Sequence, residues 1–298
     1  MARKKDKTMK MKNKCLLAGA LVGGTAICLT GRSAYECAHF VTETEQIVSP
    51  KIRQPKTLVF LTDLHDNRFG AENAQLLDAL RAQRPDAVLI GGDMMVSKRG
   101  KADLRQTALL LEELRGMAPV YYAYGNHESR LSWEKKEYGA AAAELRRLLR
   151  QTGTIALQNR SAMLGEDIRI SGLDLGRAHY RTRRFAGLTA EGIAGRIGPA
   201  GKDKFQILLA HTPVFAEGYR AWGADLMLCG HFHGGVIRIP GIGGVLTPQE
   251  HLFHPYGGGT YRTGDQVMIV GRGLGTHTLN IRLNNRPQLL VIRLLPSG

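Results

Sequence analysis

Short apolar runs alternate with helical stretches along the chain, and this alternation constrains the fold more than any other feature. Residues 58–61, 87–90 and 120–123 have the length and composition of buried strands. The segments 72–84, 104–115 and 133–150 carry apolar residues at helical spacing. A strand–helix–strand order predicts βαβ units and a sheet that is covered on both faces.

The second half of the chain is richer in strands. Six further apolar runs predict strands at 168–170, 205–210, 225–229, 236–239, 267–270 and 289–294. No internal repeat or low-complexity tract interrupts them. We therefore expect one layered α/β domain of about 240 residues from residue 56 onward.

The amino terminus has the pattern of an export signal or a membrane anchor. Residues 1–14 hold seven Lys or Arg and one Asp, and the 17 residues from Cys15 to Gly31 carry no charge. This run exceeds the usual signal core of ~7–15 residues and reaches the short end of the ~17–25 that span a bilayer. We expect an uncleaved anchor over residues 1–31, with a cleaved signal or a buried core helix as alternatives.

Two expectations follow from an anchor at that position. The positive-inside tendency leaves the basic tail in the cytoplasm and the body outside it, on the cell membrane or, after cleavage, secreted. Residues 32–55 contain Ser49-Pro50 and Gln54-Pro55 and are expected to link the anchor to the domain.

The net charge of +15 does not indicate nucleic-acid binding. The tail supplies six of these charges, and the aromatic residues, 6% of the chain, do not alternate with Lys and Arg. The remaining excess suits an anionic substrate or an anionic membrane surface.

Polar clusters follow five of the predicted strands. They are Asp63-Leu64-His65, Gly91-Gly92-Asp93, Gly125-Asn126-His127-Glu128, His211-Thr212-Pro213 and Gly230-His231-Phe232-His233-Gly234-Gly235. The carboxyl ends of sheet strands meet at the crevice where open α/β sheets place ligands. Mixed carboxylate, amide and imidazole ligands suit Mn, Fe, Zn or Co. The clusters therefore predict a divalent metal centre.

The spacing within two clusters adds a geometric expectation. Residues i and i+2 of an extended segment point to the same side. The pair Asp63 and His65 can therefore bind one ion, and so can the pair His231 and His233. The two oxygens of Asp93 allow that carboxylate to bridge two metals.

The five clusters, in this order, resemble the calcineurin-like metallophosphoesterase superfamily, whose pattern runs Asp-x-His, Gly-Asp, Gly-Asn-His-Asp/Glu, His and Gly-His-x-His. The resemblance covers residues 56–296 and is greatest to the membrane-anchored or exported branch, in Arg68-Phe69-Gly70, Arg238-Ile239-Pro240 and Gly271–Thr276. It implies a layered β-sandwich flanked by helices, formed by a domain over 56–298.

The resemblance also implies roles for single residues. The first of two metal ions would be held by Asp63, His65 and His233, and the second by Asn126, His211 and His231, with Asp93 between them. His127 resembles the histidine that protonates the leaving group. Independently of the resemblance, His277 in the glycine-rich turn and the nearby Arg272 are candidate substrate contacts. The metal expected first is Mn²⁺, with Fe, Zn, Co or Ni as alternatives.

We therefore expect a two-metal phosphoesterase of phosphodiester type, in which a metal-activated hydroxide attacks phosphorus. It would act as a membrane-tethered monomer on an anionic lipid or nucleotide-lipid phosphoester, with no nucleic-acid partner. The alternatives are a phosphodiesterase for soluble nucleotides or cyclic nucleotides, and a non-catalytic metal-dependent scaffold on the same fold.

Overall fold

The computed structural model describes residues 2–180, 187–245, 252–276 and 280–297, without the side chains of 2–12, 14, 15 and 17–19. Within these residues the helices are α1 (Ala2–Ala38), α2 (Ala74–Gln83), α3 (Arg105–Leu114), α4 (Asn126–Trp133), α5 (Lys135–Gln151), α6 (Ala190–Ile197) and α7 (Ala216–Trp222). Short 3₁₀ turns lie at Ala71–Asn73, Arg177–His179 and Pro213–Phe215.

The described strands form two large sheets and two small hairpins. They are β1 (Val41–Ser49), β2 (Lys56–Leu61), β3 (Ala87–Ile90), β4 (Ser97–Lys98), β5 (Lys101–Ala102), β6 (Val120–Tyr122), β7 (Ile155–Ala156), β8 (Arg160–Leu164), β9 (Ile168–Leu173), β10 (Phe205–Ala210), β11 (Leu226–Cys229), β12 (Arg238–Ile239), β13 (Gly243–Gly244), β14 (Gly259–Thr263), β15 (Gln266–Val270) and β16 (Gln288–Pro296).

Each large sheet has six strands and a parallel centre. The first has the order β1-β16-β2-β3-β6-β7, and its strands β2, β3, β6 and β7 run parallel to one another. The second has the order β14-β15-β11-β10-β9-β8, with β15, β11, β10 and β9 parallel. The carboxyl ends of each parallel set lie along one edge, which is where ligands bind in such sheets.

Side-chain alternation explains why the strands are apolar throughout. Leu58 and Phe60 of β2 point into the core between the two sheets, whereas Val59 and Leu61 point to the opposite face and pack with α2, α3 and α5. The second sheet is covered in the same way by α6 and α7 through Ile193, Tyr219 and other buried residues. The expected mixed α/β fold with helix-flanked sheets is confirmed.

The segment expected to be a linker is largely structured. Residues 41–49 form β1, which pairs in parallel with β16 from Val41 opposite Gln288 to Ser49 opposite Pro296. Only Ile47 of this strand is buried, and its Thr and Glu side chains face solvent at the sheet edge. The linker prediction is wrong for this stretch because an edge strand is held by backbone pairing and shows little apolar pattern.

Helix α1 covers the expected anchor and continues through Ala38. Among the residues whose side chains are described, we find no helix with the length and apolarity needed to cross a membrane. Part of the uncharged run, residues 15 and 17–19, has side chains that the structure does not describe. The end of α1 is docked on the body, because Ser33 and Glu36 are buried.

Candidate metal centre

The loops that follow the parallel strands bring the expected ligands of both sheets together. Asp63 and His65 follow β2, Asp93 follows β3, and Asn126 begins α4 after β6. The second sheet supplies the histidines that follow its strands, namely His211 after β10 and His231 and His233 after β11. One cluster is therefore built from two sheets.

Two carboxylates lie at the centre of the cluster. Asp63 Oδ1 is 3.5 Å from His233 Nε2 and 3.7 Å from the Nε2 atoms of His65 and His211. Asp93 Oδ2 is 3.0 Å from His211 Nε2 and 3.9 Å from His65 Nε2. Imidazole nitrogens thus surround both aspartates at distances that a shared cation would bridge.

Within the part of the chain that the structure describes, the potential ligand atoms fall into three groups, and in each group all atoms lie within 4.8 Å of one another. They are Asp63, His65 and His233, then Asp93, His211 and His231, and lastly His65, Asp93 and His127. The first two, called here the first and second trios, contain the residues that the resemblance assigned to two metals, apart from Asn126. The third brings His127 to the rim of the same cluster.

Polar atoms without partners support a cation in this place. Asn126 Oδ1 and His231 Nε2 are buried and find no hydrogen-bond partner among the described residues. Buried polar atoms are nearly always satisfied, so each such atom calls for an explanation. Oxygen and imidazole donors of this kind fit a first-row divalent metal, and the residues present therefore fit the ions that the sequence predicted.

The backbone of the cluster differs from the sequence-based expectation. Asp63, His65, Asp93, His231 and His233 all have left-handed backbone, with φ of 52°, 47°, 55°, 68° and 49°. The expected extended geometry is therefore wrong, and the two histidines of the His-x-His cluster enter different trios. Non-glycine residues in this region cost ~1–3 kcal/mol each and collect at functional sites.

Glu128 joins the loop after β3 to the start of α4. Its Oε2 accepts hydrogen bonds from the amides of Asp93 (2.8 Å) and Gly125 (3.0 Å), and its Oε1 accepts from the Met94 amide (2.9 Å) and the Tyr122 hydroxyl (2.8 Å). Burial raises the pKa of this carboxyl. From the sequence alone Glu128 had no assigned role, although a glutamate at the third position of a helix can accept a hydrogen bond from the N-cap amide, here that of Gly125.

His127 is held by Ser97 and Asp93. The Ser97 amide donates to His127 Nδ1 at 2.9 Å, and the His127 amide donates to Asp93 Oδ1 at 2.8 Å. Because Nδ1 accepts that bond, the hydrogen of the neutral ring is on Nε2. The ring of His127 packs edge-on against His65, with centroids 5.1 Å apart.

Tyr180 is a neighbour of the cluster that the sequence did not reveal. Its ring centroid lies 5.4 Å from that of His231 and 6.3 Å from that of His211. No motif surrounds Tyr180, so no local signal could have identified it. Its contact with two candidate ligands places it on the second-trio side of the cleft.

The two expected substrate contacts have different outcomes. The guanidinium of Arg272 binds both oxygens of Glu43, at 2.7 and 3.1 Å, so it is already engaged in an ion pair. Its contact with substrate stays a prediction. His277 lies outside the described residues.

The electrostatics of the cluster centre on His211. Burial alone would lower the pKa of His211, but the carboxylates of Asp93 and Asp63 raise it to about 10. Burial lowers the pKa of His231 and of His233 to about 3. Burial opposes ionisation of Asp63, but the neighbouring histidines hold its pKa below the ordinary value. A proton on His211 therefore offsets one of the two carboxylate charges.

The comparisons with known proteins agree with this geometry. Residues 56–235 match the family described as calcineurin-like phosphoesterase, so the chain belongs to that family and is a metal-dependent phosphoric ester hydrolase. It is 28% identical over 247 residues to phosphodiesterase YaeI of Escherichia coli, covering 81% of this chain and 83% of that protein.

Two further proteins show the range of similarity. The uncharacterized metallophosphoesterase YkuE of Bacillus subtilis is 28% identical over 297 residues, covering 94% of this chain and 93% of its own. A crystal structure of a dimetal phosphatase from Danio rerio has 13% identity and a TM-score of 0.39, covering 74% of this chain and 88% of that one. The family assignment depends on the sequence match alone.

We expect metal uptake to displace the proton of His211. The pKa of His211 is raised from 6.5 to about 10, so the stabilisation from its pairing with Asp93 is fully present below pH 6.5 and is lost as the pH rises through about 10. A metal ligand must be neutral, so the apparent affinity for Mn²⁺ should rise about tenfold per pH unit from near pH 7 to 9. Calorimetric titration in two buffers of different ionisation enthalpy measures the proton release.

The matched variants are His211→Ala and His233→Ala. Both should bind metal more weakly, but only His211→Ala should release one proton fewer than the wild-type protein, since the pKa of His233 is about 3. A proton release that persists unchanged in His211→Ala contradicts the assignment.

Proposed function

We propose that this chain hydrolyses a phosphodiester with two divalent metal ions, Mn²⁺ in the first place, and that Fe, Zn, Co or Ni can replace it. The observation that carries the proposal is the pair of trios, each with its ligand atoms within 4.8 Å of one another. The ligands would be Asp63, His65 and His233 for one ion and Asn126, His211 and His231 for the other, with Asp93 between them. The name of the relative YaeI, a phosphodiesterase, supports a diester as the substrate class.

The metals and the protein contribute different parts of the chemistry. Bound in pairs, such ions polarise phosphoryl oxygens and lower the pKa of an attacking water. Asp93 faces both sides of the cluster, because its Oδ2 lies 3.0 Å from His211 Nε2 of the second trio and 3.9 Å from His65 Nε2 of the first. Its Oδ1 accepts a hydrogen bond from the His127 amide. As an imidazolium, His127 would give its Nε2 proton to the oxygen that leaves phosphorus, and its Nδ1 hydrogen could bond to Ser97 Oγ, 3.2 Å away.

The Asp93→Asn variant tests the two-metal proposal. The wild-type protein should bind two equivalents of Mn²⁺ and hydrolyse bis-nitrophenyl phosphate. Because Asp93 would serve both ions, the variant should lose metal at both sites and at least ~100-fold in kcat/KM.

Asp78→Asn is the matched control, since Asp78 is an exposed aspartate on α2. It should keep both ions and the full rate. Two full equivalents of metal and a near-normal rate in Asp93→Asn would reject the bridging role.

The His127→Ala variant separates a proton donor from a metal ligand. An alkoxide leaving group needs a proton as the P–O bond breaks, whereas nitrophenolate leaves without one. The variant should keep both metals and lose ~10²–10⁴-fold in kcat/KM on an alkyl phosphodiester, with a much smaller loss on the nitrophenyl ester.

Metal content is determined on the same preparation. Equal losses on the two esters reject the acid role and leave His127 as a hydrogen-bond donor to phosphate. A missing equivalent of metal makes it a ligand, as its place in the third group of potential ligand atoms allows.

We also propose that the chain belongs to the membrane-anchored branch of its family, with the catalytic domain outside the cytoplasm. The support is the tail of seven cations followed by 17 uncharged residues. We propose a lipid or nucleotide-lipid phosphoester as substrate, because an anchor keeps the cleft near the bilayer. Soluble nucleotides and cyclic nucleotides are the alternative substrates, and an assay must compare their hydrolysis with that of the lipid ester.

Protease added to intact cells or protoplasts should digest the body and leave a small protected anchor. Complete protection that is lost only on lysis would place the domain in the cytoplasm. With the same preparation, hydrolysis of a vesicle-borne phosphodiester is compared with that of a soluble dinucleotide, and a preference for the soluble ester contradicts the lipid proposal.

A further inference from the structure

The docked end of α1 touches the segment that supports the metal centre. Ser33 and Glu36 lie one turn apart on α1 and are 7% and 0% exposed. Ser33 Oγ accepts a hydrogen bond from the Arg282 amide at 3.0 Å, and Glu36 Oε2 accepts one from the Asn285 amide at 2.9 Å. The helix thus fixes two points of the segment 282–285 through buried polar groups.

Arg282 connects these contacts to the loop beside the metal centre, residues 272–275. It is the largest fully buried side chain of the described residues, at 1% exposure. One terminal nitrogen donates to the carbonyls of Gly275 (2.6 Å) and Arg272 (2.9 Å), and the other donates to the Asn285 carbonyl (3.0 Å). A buried guanidinium is costly unless it is hydrogen-bonded, so these bonds define where residues 272–275 lie.

The hydrogen bonds of Arg282 and those of Asn285 both lead to His233 of the first trio. His233 Nδ1 lies 3.1 Å from the Gly275 carbonyl, and Asn285 Nδ2 donates to the His233 carbonyl at 2.7 Å. The Gly275 amide also donates to the Asp63 carbonyl at 2.6 Å. The Gly275 carbonyl places the ring hydrogen of His233 on Nδ1. The lone pair of Nε2, which lies 3.5 Å from Asp63 Oδ1, could then bind a metal ion.

We infer that Ser33 and Glu36 of α1, with Arg282 and Asn285, are positioning residues for His233 and therefore for the first metal site. The inference rests on the proposed two-metal function. None of the four is a ligand in that proposal. Arg282 acts through the Gly275 carbonyl and Asn285 through the His233 carbonyl. Ser33 and Glu36 act through the amides of Arg282 and Asn285. The end of α1 is thus part of the metal centre and not a passive tether.

The test uses the full chain and resolves the two Mn²⁺ binding steps by titration with detection of free Mn²⁺. Ser33→Ala and Glu36→Ala should each weaken one step by up to about 10-fold, the low end of the loss for a residue that bonds directly to a ligand, and leave the other unchanged. Glu36→Gln keeps an acceptor for the Asn285 amide and should have the smaller effect. Activity should fall at low Mn²⁺ and recover when Mn²⁺ saturates the weak site.

Thr30→Ala is the matched control on the same helix. Thr30 is exposed, and its hydroxyl bonds to the Ala26 carbonyl within α1, so its removal should leave both steps unchanged. Arg282→Lys, which cannot span the same carbonyls, should weaken the same step as Glu36→Ala. In nitrogen-15 spectra the Nδ1–H resonance of His233 should shift in these variants but not in Thr30→Ala.

Each outcome decides the inference. Wild-type affinity for both ions in folded Ser33→Ala and Glu36→Ala overturns it, and so does equal weakening of both steps that follows a lower melting temperature. If Glu36→Ala does not fold, Ser33→Ala and Glu36→Gln carry the test. If the wild-type chain itself binds fewer than two ions, the proposed function fails and not this inference alone.

Discussion

The carboxylate of Glu128 holds together the two loops on which the first sheet's half of the cluster depends. It accepts four hydrogen bonds, three from backbone amides and one from the Tyr122 hydroxyl, without a cation among those donors. A buried carboxylate is tolerated only when its oxygens accept hydrogen bonds. Here two donors are the amides of Asp93 and Met94, and the other two belong to Tyr122 and Gly125, just before Asn126. The approach is so close that a Cβ on Gly92, whose φ is 94°, would lie 2.1 Å from the Gly125 nitrogen.

The hydrogen bonds of Glu128 help to hold the backbone of the cluster in its strained conformation. The loops after β2 and β3 are joined by hydrogen bonds from the Asp63 amide to the Gly92 carbonyl and from the His65 amide to the Asp93 carbonyl, at 3.0 and 3.1 Å. Left-handed residues persist where surrounding structure over-determines them. The ligands are therefore positioned by the fold, and a proton on His211 offsets part of the charge of the two carboxylates.

The sequence predicts those parts of the molecule whose signal is local. Runs such as Leu58 to Leu61 predict the strands, and the polar residue that follows each run predicts the cluster. Strand β1 escapes prediction because its outer positions are Thr and Glu. The left-handed backbone at His231 and His233 also escapes, since the i, i+2 rule assumes an extended chain.

Arg282 and Glu36 were beyond prediction for a different reason. Nothing in their neighbourhoods marks them, and Glu36 meets its partner Asn285 at a separation of 249 residues. Contacts of that kind arise only when the whole fold closes. They are a property of the tertiary structure and not of any motif.

The docked helix end changes what an anchor would do. A flexible linker over 32–55 would span up to about 80 Å when extended and would let the cleft move freely above a membrane. In the structure, the chain from Gly31 to Glu36 is continuous helix, which rises about 1.5 Å per residue and so covers roughly 7.5 Å. If the uncharged run lies in a bilayer, as we propose, Glu36 and the segment 282–285 lie within about two helical turns of its edge. An ester at headgroup depth is then the substrate position that such a rigid, short connection favours.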